Sequence, residues 1–266
     1  MILLSQELPL SISLNQDTYR NAAQFARAGF EAAECCLPVH YHAEVDLSIF
    51  PAYLEEVCPR IADGGLRIAS FHLPFGTYWD ISSPDETIRA GAVQALAQLI
   101  RLLAPYPGNN LVLHPSFEPI EEGAREAHIA ACQKSLRKLA PIAEETGKKI
   151  ALENLPRTCL GRTSQEMERI TESGALCGIC MDTTHMFHET PQDFLRRCGK
   201  WVINTHLSDY LNGQDECHWV PGTGSLHWRE IFAALIALPY GGTYNFEVFK
   251  YAPLEIVGGL KNALER

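Results

Sequence analysis

The sequence predicts an α/β fold, a single (β/α)8 TIM barrel that takes residues 1–266 as one domain. Three observations lead there. Eight short apolar runs alternate strictly with eight amphipathic stretches, and such alternation implies a parallel sheet with helices outside it. Eight units in roughly 250 residues is the arithmetic of a closed barrel. The first apolar run leads into Ser13-Leu14-Asn15-Gln16-Asp17, which lacks the Gly-rich phosphate loop an open doubly wound sheet would place there.

Taken in order, residues 8–14 read as the first strand and 17–28 as the first helix, closed by Gly29. Strand 32–37 precedes helix 46–62, which Gly64 follows. Strand 67–73 precedes helix 84–103, opened by Ser83-Pro84. Strand 110–114 precedes helix 121–146, stopped by Gly147. Strand 149–153 precedes helix 164–171, which Thr163-Ser164 opens ahead of Glu166 and Gly174 follows. The last three units pair 177–182 with 191–197, 201–207 with 228–238, and 244–249 with 253–264. No linker, low-complexity stretch or long charge run interrupts the series.

Composition narrows the function classes. With 46% hydrophobic and 20% charged residues the chain is an ordinary globular protein, which excludes disorder, collagen and coiled coil. A chain this long buries roughly three quarters of its unfolded surface, so its core needs no disulfide or structural metal. Twenty-two Lys+Arg against 32 Asp+Glu gives −10, which argues against a nucleic-acid partner, although a bound metal can supply its own positive charge. The nine cysteines are irregularly spaced and read as reduced, buried thiols. Cys177 and Cys180 lie in a strand-like run where side chains three apart face opposite ways, which disfavours chelation or redox pairing. The start of the chain lacks the pattern of a secretion signal, and no apolar run approaches the roughly 18 to 20 residues of a membrane helix. The expected location is cytoplasmic, with no membrane partner.

Polar residues sit where the apolar runs stop. Strand three ends in Ser70-Phe71-His72, strand four in Leu113-His114, strand five in Leu152-Glu153-Asn154, and strand six in Met181-Asp182 with His185 three further on. Strand seven reads Asn204-Thr205-His206-Leu207-Ser208-Asp209 and strand eight Asn245-Phe246-Glu247-Val248. In a parallel barrel all these ends open on one face. Carboxylates crowded there would repel or be neutralised unless a divalent cation joined them. Two glutamates, an aspartate and a histidine suit Mn²⁺, Mg²⁺, Co²⁺ or Zn²⁺. Any one of these residues, taken singly, could instead be structural: a strand-end histidine is commonly just hydrogen-bonded, and a buried glutamate is commonly paired with arginine. Glu153, however, has no basic neighbour in its own run. His40, His42 and His128 read as surface residues, and His188 and His227 are ambiguous. His218 stands out because it precedes Pro221-Gly222-Thr223-Gly224, whose glycines read as turn formers rather than a phosphate cradle.

In this order, one per strand end, the motifs Ser70-Phe71-His72-Leu73-Pro74-Phe75, Leu113-His114-Pro115, Ala151-Leu152-Glu153-Asn154, Asp182-Thr183-Thr184-His185 and Thr205-His206-Leu207-Ser208-Asp209, with Phe246-Glu247, resemble the xylose isomerase-like TIM-barrel superfamily. The resemblance covers nearly the whole chain. That group contains sugar and sugar-phosphate isomerases and epimerases, a dehydroshikimate dehydratase, inositol-catabolism enzymes and endonuclease IV. The resemblance implies one divalent metal (Mn, Zn, Co or Mg) held by Glu153, Asp182, His206 and Glu247. It implies that Glu153 and Glu247 also move a proton beside a carbonyl, through a metal-bound cis-enediolate, and that His185 touches substrate oxygens. The implied substrate is a sugar or sugar phosphate, and the implied class an isomerase or epimerase. Two positions depart from the ketose 3-epimerases: Cys159 and Asn212 stand where those enzymes carry a glutamate and an arginine.

A second resemblance is to endonuclease IV, which uses three zinc ions and nine ligands. Candidates for all nine are His72, His114, Glu153, Asp182, His185, His206, Glu216, His218 and Glu247, with Glu216 replacing an aspartate. On that alternative the chain is a multi-zinc phosphoester hydrolase with up to three Zn; a related metal-dependent dehydratase is a further alternative. His72, His114, His185 and His218 are thus substrate-binding residues on one reading and additional metal ligands on the other. Tyr78, Trp79 and Phe117 follow strands three and four and could flank a sugar ring or simply pack the loops. Arg157 and Arg162 follow strand five, where either could meet a phosphate or form a salt bridge. Members of the superfamily are monomers, dimers or tetramers, which leaves a homo-oligomer open.

Overall fold

The computed structural model describes residues 8–39, 41–211 and 216–265; His40 and Asn212 lie outside them. Every expected element is present. The strands are β1 (Leu10–Leu14), β2 (Ala32–Cys36), β3 (Arg67–His72), β4 (Asn110–Leu113), β5 (Lys149–Glu153), β6 (Gly178–Asp182), β7 (Val202–His206) and β8 (Tyr244–Phe246). The helices are α1 (Ala22–Arg27), α2 (Ile49–Asp63), α3 (Glu86–Leu103), α4 (Arg125–Glu145), α5 (Ser164–Ile170), α6 (Pro191–Cys198), α7 (Trp228–Ile236) and α8 (Pro253–Glu265). Each strand pairs in parallel with the next from β1 to β7, and β8 pairs with β1. The ring closes between β7 and β8 through the Leu207–Phe246 bridge, where the Leu207 N–H donates to the Asn245 carbonyl at 2.8 Å. The eighth strand is shorter than expected, because after Glu247 the chain leaves the sheet toward Lys250 at φ +67°.

Local signals account for several boundaries. Helix α3 is capped by Asp85, not by Ser83, through its side-chain oxygen accepting from Thr87 N and Ile88 N at 2.8 and 3.2 Å. Thr163 caps α5 and Thr190 caps α6 in the same manner, with Pro191 in the first turn. The long segment between β4 and α4 closes with a 3-10 turn at Glu122–Ala124 that runs straight into the helix.

Alternation along each strand sorts side chains between two environments. Ile12, Ala33, Ile68, Leu111, Ile150, Ile179, Val202 and Phe246 join the main core between sheet and helices. Inside the barrel lies a much smaller apolar group of Val112, Ala151 and Cys180. Cys177 belongs to the outer core and Cys180 to the inner one, so the pair does face opposite ways, and neither is in a disulfide. The rest of the interior is polar: Ser13, Glu34, Ser70, Asn204 and Asn245 form one layer. Above it lie His72, His114, Glu153, Asp182, His206 and Glu247, each two residues further along its strand or at its end. Extra residues, Ala69 in β3 and Ile203 in β7, bulge out of the ladder just before the layer.

The turn after β7 is organised by one carboxylate. Asp209 is fully buried and accepts from the N–H groups of Tyr210, Gly222, Gly224 and Leu226 and from the Trp228 indole, at 2.8–3.2 Å. The Gly222 and Gly224 amides are therefore engaged by Asp209 and that of Thr223 by the Val220 carbonyl, so they do not form a phosphate cradle. Gly222 adopts φ +85°, and a Cβ at Gly224 would collide with the Asp209 carboxylate. No helix among the described residues is long and apolar enough to cross a membrane.

Replacing Asp209 by alanine leaves five donors, two of them on the buried residues Tyr210 and Trp228, without their acceptor. The expected loss is about 3–5 kcal/mol, read as a lower urea midpoint; an unchanged midpoint would contradict this account.

Candidate metal centre

The strand-end residues meet at the C-terminal mouth of the barrel. Glu153, Asp182, His206 and Glu247, all buried, each offer an atom within 4.8 Å of the others. His206 Nδ1 lies 3.1 Å from Glu153 Oε1, 3.1 Å from Glu247 Oε2 and 3.7 Å from Asp182 Oδ2. Asp182 is held from behind: its Oδ1 accepts from the Thr184 backbone and hydroxyl, while Asn154 hydrogen-bonds its backbone N–H and carbonyl. Its Oδ2 is left without a hydrogen-bond partner among the described residues, and so is Glu153 Oε2. His72 Nε2 and His114 Nε2 come within 3.3 and 3.2 Å of Glu153 Oε2 but out of line for a hydrogen bond. Two buried anionic oxygens that the protein leaves unpartnered, beside converging nitrogens, fit a divalent cation with mixed oxygen and nitrogen ligands.

Two further groups adjoin the first. His72, His114 and Glu153 converge on one side, and His185, Glu216 and His218 on the other. Glu216 Oε1 is 3.4 Å from His185 Nε2 and 3.1 Å from His218 Nε2, and Arg157 pairs with Glu216 Oε2 at 2.9 Å. Backbone carbonyls set the histidine tautomers. Nδ1–H of His72 donates to Leu73 O at 2.9 Å, that of His185 to Asn154 O at 2.8 Å, and that of His218 to Glu247 O at 3.1 Å. When neutral, each of the three therefore directs an Nε2 lone pair into the centre.

Burial and charge pull against each other here. Burial opposes ionisation of Glu153 and Glu247, yet the charge of His206, with His114 at Glu153 and His218 at Glu247, holds both well below the usual carboxylate range. Burial would likewise lower the histidines. At His185 the carboxylates of Asp182, Glu216 and Glu153 overcome it and push the pKa up to about 10. Glu216 and Glu247 raise His218 to about 9. At His114 burial wins and its pKa falls.

The centre opens into a cavity of about 410 Å³. Its aromatic wall is made by Tyr41, Phe75, Phe117 and Phe249, with Phe75 stacked on His114 at 4.0 Å. Of the expected aromatics only Phe117 contributes. Trp79 is buried against Phe50, and Tyr78 is exposed away from the cavity, because the 3-10 turn Thr77–Trp79 points its rings elsewhere. Both arginines of the β5 loop are in ion pairs: Arg157, on the cavity wall, with Glu118 and Glu216, and Arg162, away from it, with Glu122. Cys159 lies in the cavity wall. His42, His188 and His227 are exposed, while His128, expected at the surface, is half-buried and paired with Ser82. The residue that sequence reasoning missed is Glu34 of β2, fully buried beneath the centre and 2.8 Å from His206 Nε2. Its signal was a carboxylate inside an otherwise apolar run, Ala32-Ala33-Glu34-Cys35-Cys36.

Comparison with known proteins agrees with the fold. The family described as xylose isomerase-like TIM barrel matches residues 22–265. An uncharacterized protein of Methanocaldococcus jannaschii is 28% identical over 185 residues, a match spanning 66% of this chain and 62% of that protein, less than two thirds of its length. D-psicose 3-epimerase of Ruminiclostridium cellulolyticum is 25% identical over 238 residues, covering 84% of this chain and 75% of that one. L-ribulose 3-epimerase of Mesorhizobium japonicum is 26% identical over 246 residues, covering 89% and 77%. The crystal structure of a D-tagatose 3-epimerase-like protein superposes with a TM-score of 0.78 at 21% identity over 97% of both chains, a likeness of fold.

In the metal-free protein the raised pKa values of His185 and His218 stabilise the fold fully below about pH 6.5, the ordinary histidine value, and that contribution is lost as pH rises toward 9 and 10. The melting temperature of chelator-treated protein should fall across that window. Ligation needs unprotonated nitrogen, so the gain in melting temperature on adding Mn²⁺ or Zn²⁺ should grow over the same range. A flat profile in the metal-free protein would refute the electrostatic account.

Proposed function

This chain belongs to the xylose isomerase-like TIM barrel family, and on that premise we propose that it is a divalent-metal-dependent isomerase or epimerase of a sugar or sugar phosphate. The observation that carries the reading is the pair of buried carboxylates, Glu153 and Glu247, both 3.1 Å from His206 Nδ1 and both on the wall of the cavity. The relatives named as 3-epimerases support the reaction class.

Glu153, Asp182, His206 and Glu247 would hold the ion. The bound ion supplies Lewis acidity, which polarises carbonyl and hydroxyl oxygens and makes the neighbouring C–H more acidic. One of Glu153 and Glu247 removes the proton from the carbon beside the carbonyl, and the other returns one. Inversion at that carbon needs proton removal and return on opposite faces, which is why two carboxylates serve where one would not. His185 and His218 supply N–H groups to sugar oxygens, and Phe75, Phe117 and Phe249 cover the apolar face of the ring. With Cys159 on the wall in place of the glutamate of the ketose 3-epimerases, the chain grips its sugar differently from them.

One observation favours a second reading, a multi-zinc phosphoester hydrolase. His72, His114 and Glu153, and His185, Glu216 and His218, make two more convergent groups beside the first. Ions in all three would activate water and clamp a leaving oxygen. Against it, Arg157 is the one Lys or Arg on the cavity wall among the described residues, and it is tied to Glu118 and Glu216.

Glu247→Gln should leave the fold intact, lower turnover by roughly 10²–10⁴-fold and abolish exchange of the substrate α-proton with D₂O. Undiminished exchange would sink the two-glutamate mechanism. Elemental analysis of protein purified without added metal or chelator separates the readings. About one ion per chain supports the epimerase, and about two or three zinc ions support the hydrolase. His72→Ala should then remove an ion under the second reading and only weaken sugar binding under the first.

A further inference from the structure

His206 differs from the other histidines of the centre. His72, His185 and His218 give Nδ1–H to carbonyl oxygens and turn Nε2 inward. His206 turns Nδ1 inward, and its Nε2 meets a carboxylate, Glu34 Oε1, at 2.8 Å. Glu34 is not on the cavity wall and belongs to none of the convergent ligand groups, so it touches neither ion nor substrate. Both of its oxygens are committed. Oε1 also accepts from Ser13 Oγ at 3.3 Å, and Oε2 accepts from Ser70 Oγ at 2.7 Å and Asn204 Nδ2 at 3.0 Å. Ser13 is itself fixed by Asn245 Nδ2 at 2.8 Å. The carboxylate is thus pinned from β1, β3 and β7, with β8 behind.

We propose that Glu34 is a positioning residue that fixes the tautomer and ring orientation of His206, so that Nε2 carries the proton and Nδ1 presents the ligating lone pair. An ionised carboxylate accepts hydrogen bonds and donates none, so it requires the N–H on the nitrogen facing it. A ring clamped in this way cannot flip or shift its proton when the ion arrives, and an anionic partner makes the ligating nitrogen more basic. A serine or carbonyl at the same place would orient the ring without that charge.

The inference rests on the metal reading above, and its test reads metal binding rather than epimerisation. In zinc-loaded wild-type protein carrying ¹⁵N-histidine, the His206 signal should show a protonated Nε2 and a metal-bound Nδ1; the opposite tautomer overturns the proposal. Glu34→Gln should weaken Co²⁺ affinity by about 10- to 100-fold in a chelator competition and shift the visible absorption of the bound cobalt. A merely structural role would lower the melting temperature of the metal-free variant and leave the affinity and the cobalt spectrum of its folded fraction unchanged, which overturns the proposal. Ser70→Ala, which frees one Glu34 oxygen, should give a smaller weakening of the same kind and serves if Glu34→Gln does not fold. Wild-type protein that takes up no ion overturns the metal centre itself, whereas normal uptake with an indifferent Glu34 overturns only the positioning role.

Discussion

Three carboxylates, Glu153, Asp182 and Glu247, are buried around one imidazole at the mouth of the barrel. Removing that much negative charge from water costs several kcal/mol per ion unless positive charge and hydrogen bonds replace the solvent. Much of the surrounding architecture answers this demand. Histidines close in from β3, β4, β7 and the loops after β6 and β7, and each brings either a proton or a lone pair. Backbone carbonyls and Glu34 hold these rings from behind, at fixed positions. The barrel itself is the device that delivers one side chain per strand to the same small volume.

Much of this was legible in the sequence because a parallel barrel has a simple rule: where each apolar run stops, the next side chains meet at one mouth. The rule picked out Glu153, Asp182, His206 and Glu247, and also His72, His114 and His185, since each stands at or just past a strand end, while His218 was marked by the Pro221-Gly222-Thr223-Gly224 loop it precedes. It passed over the carboxylate that lies deeper. Glu34 sits in the middle of β2, between Ala33 and Cys35, and a strand-end search passes over it. What marks it is register: Ser13 and Ser70 stand opposite it on both neighbouring strands, a pairing only three dimensions reveal. The aromatic wall was misread for a different reason. Phe75 and Phe249 lie close to strand ends, but Tyr41 comes from the distant loop after β2, and sequence proximity selected Trp79, which packs into the core.

The loops are held as deliberately as the strands. Arg125, at the start of α4, is buried against Glu166 of α5 and also donates to the carbonyls of Thr158 and Cys159. Glu166 in turn accepts from the N–H groups of Gly161 and Arg162. This buried ion pair satisfies the backbone of the loop that carries Arg157 and Cys159 to the cavity, so that loop behaves as part of the scaffold. Gly76 serves the opposite wall: its φ of +141° and the absence of a Cβ let the chain pass against the backbone of Tyr41, whose ring lines the cavity.

The bulges at Ala69 and Ile203 carry one more consequence. Ile68 and Val202 face the helices, yet Ser70 and Asn204, two residues on, face the barrel axis together with Glu34. Strict alternation forbids that, so each bulge is a change of parity in its strand. His72 and His206, which lie beyond these two bulges and stack at 5.5 Å, keep their places in the centre because each bulge absorbs the odd residue beneath them. Along these strands the count of residues between outer core and site is odd or even by necessity. A deletion or insertion that the bulge does not absorb would exchange the two environments, sending the imidazoles in among the aliphatic chains of the outer core. A change of length along these two strands therefore keeps the site in place only in steps of two, or when bulge and residue go together.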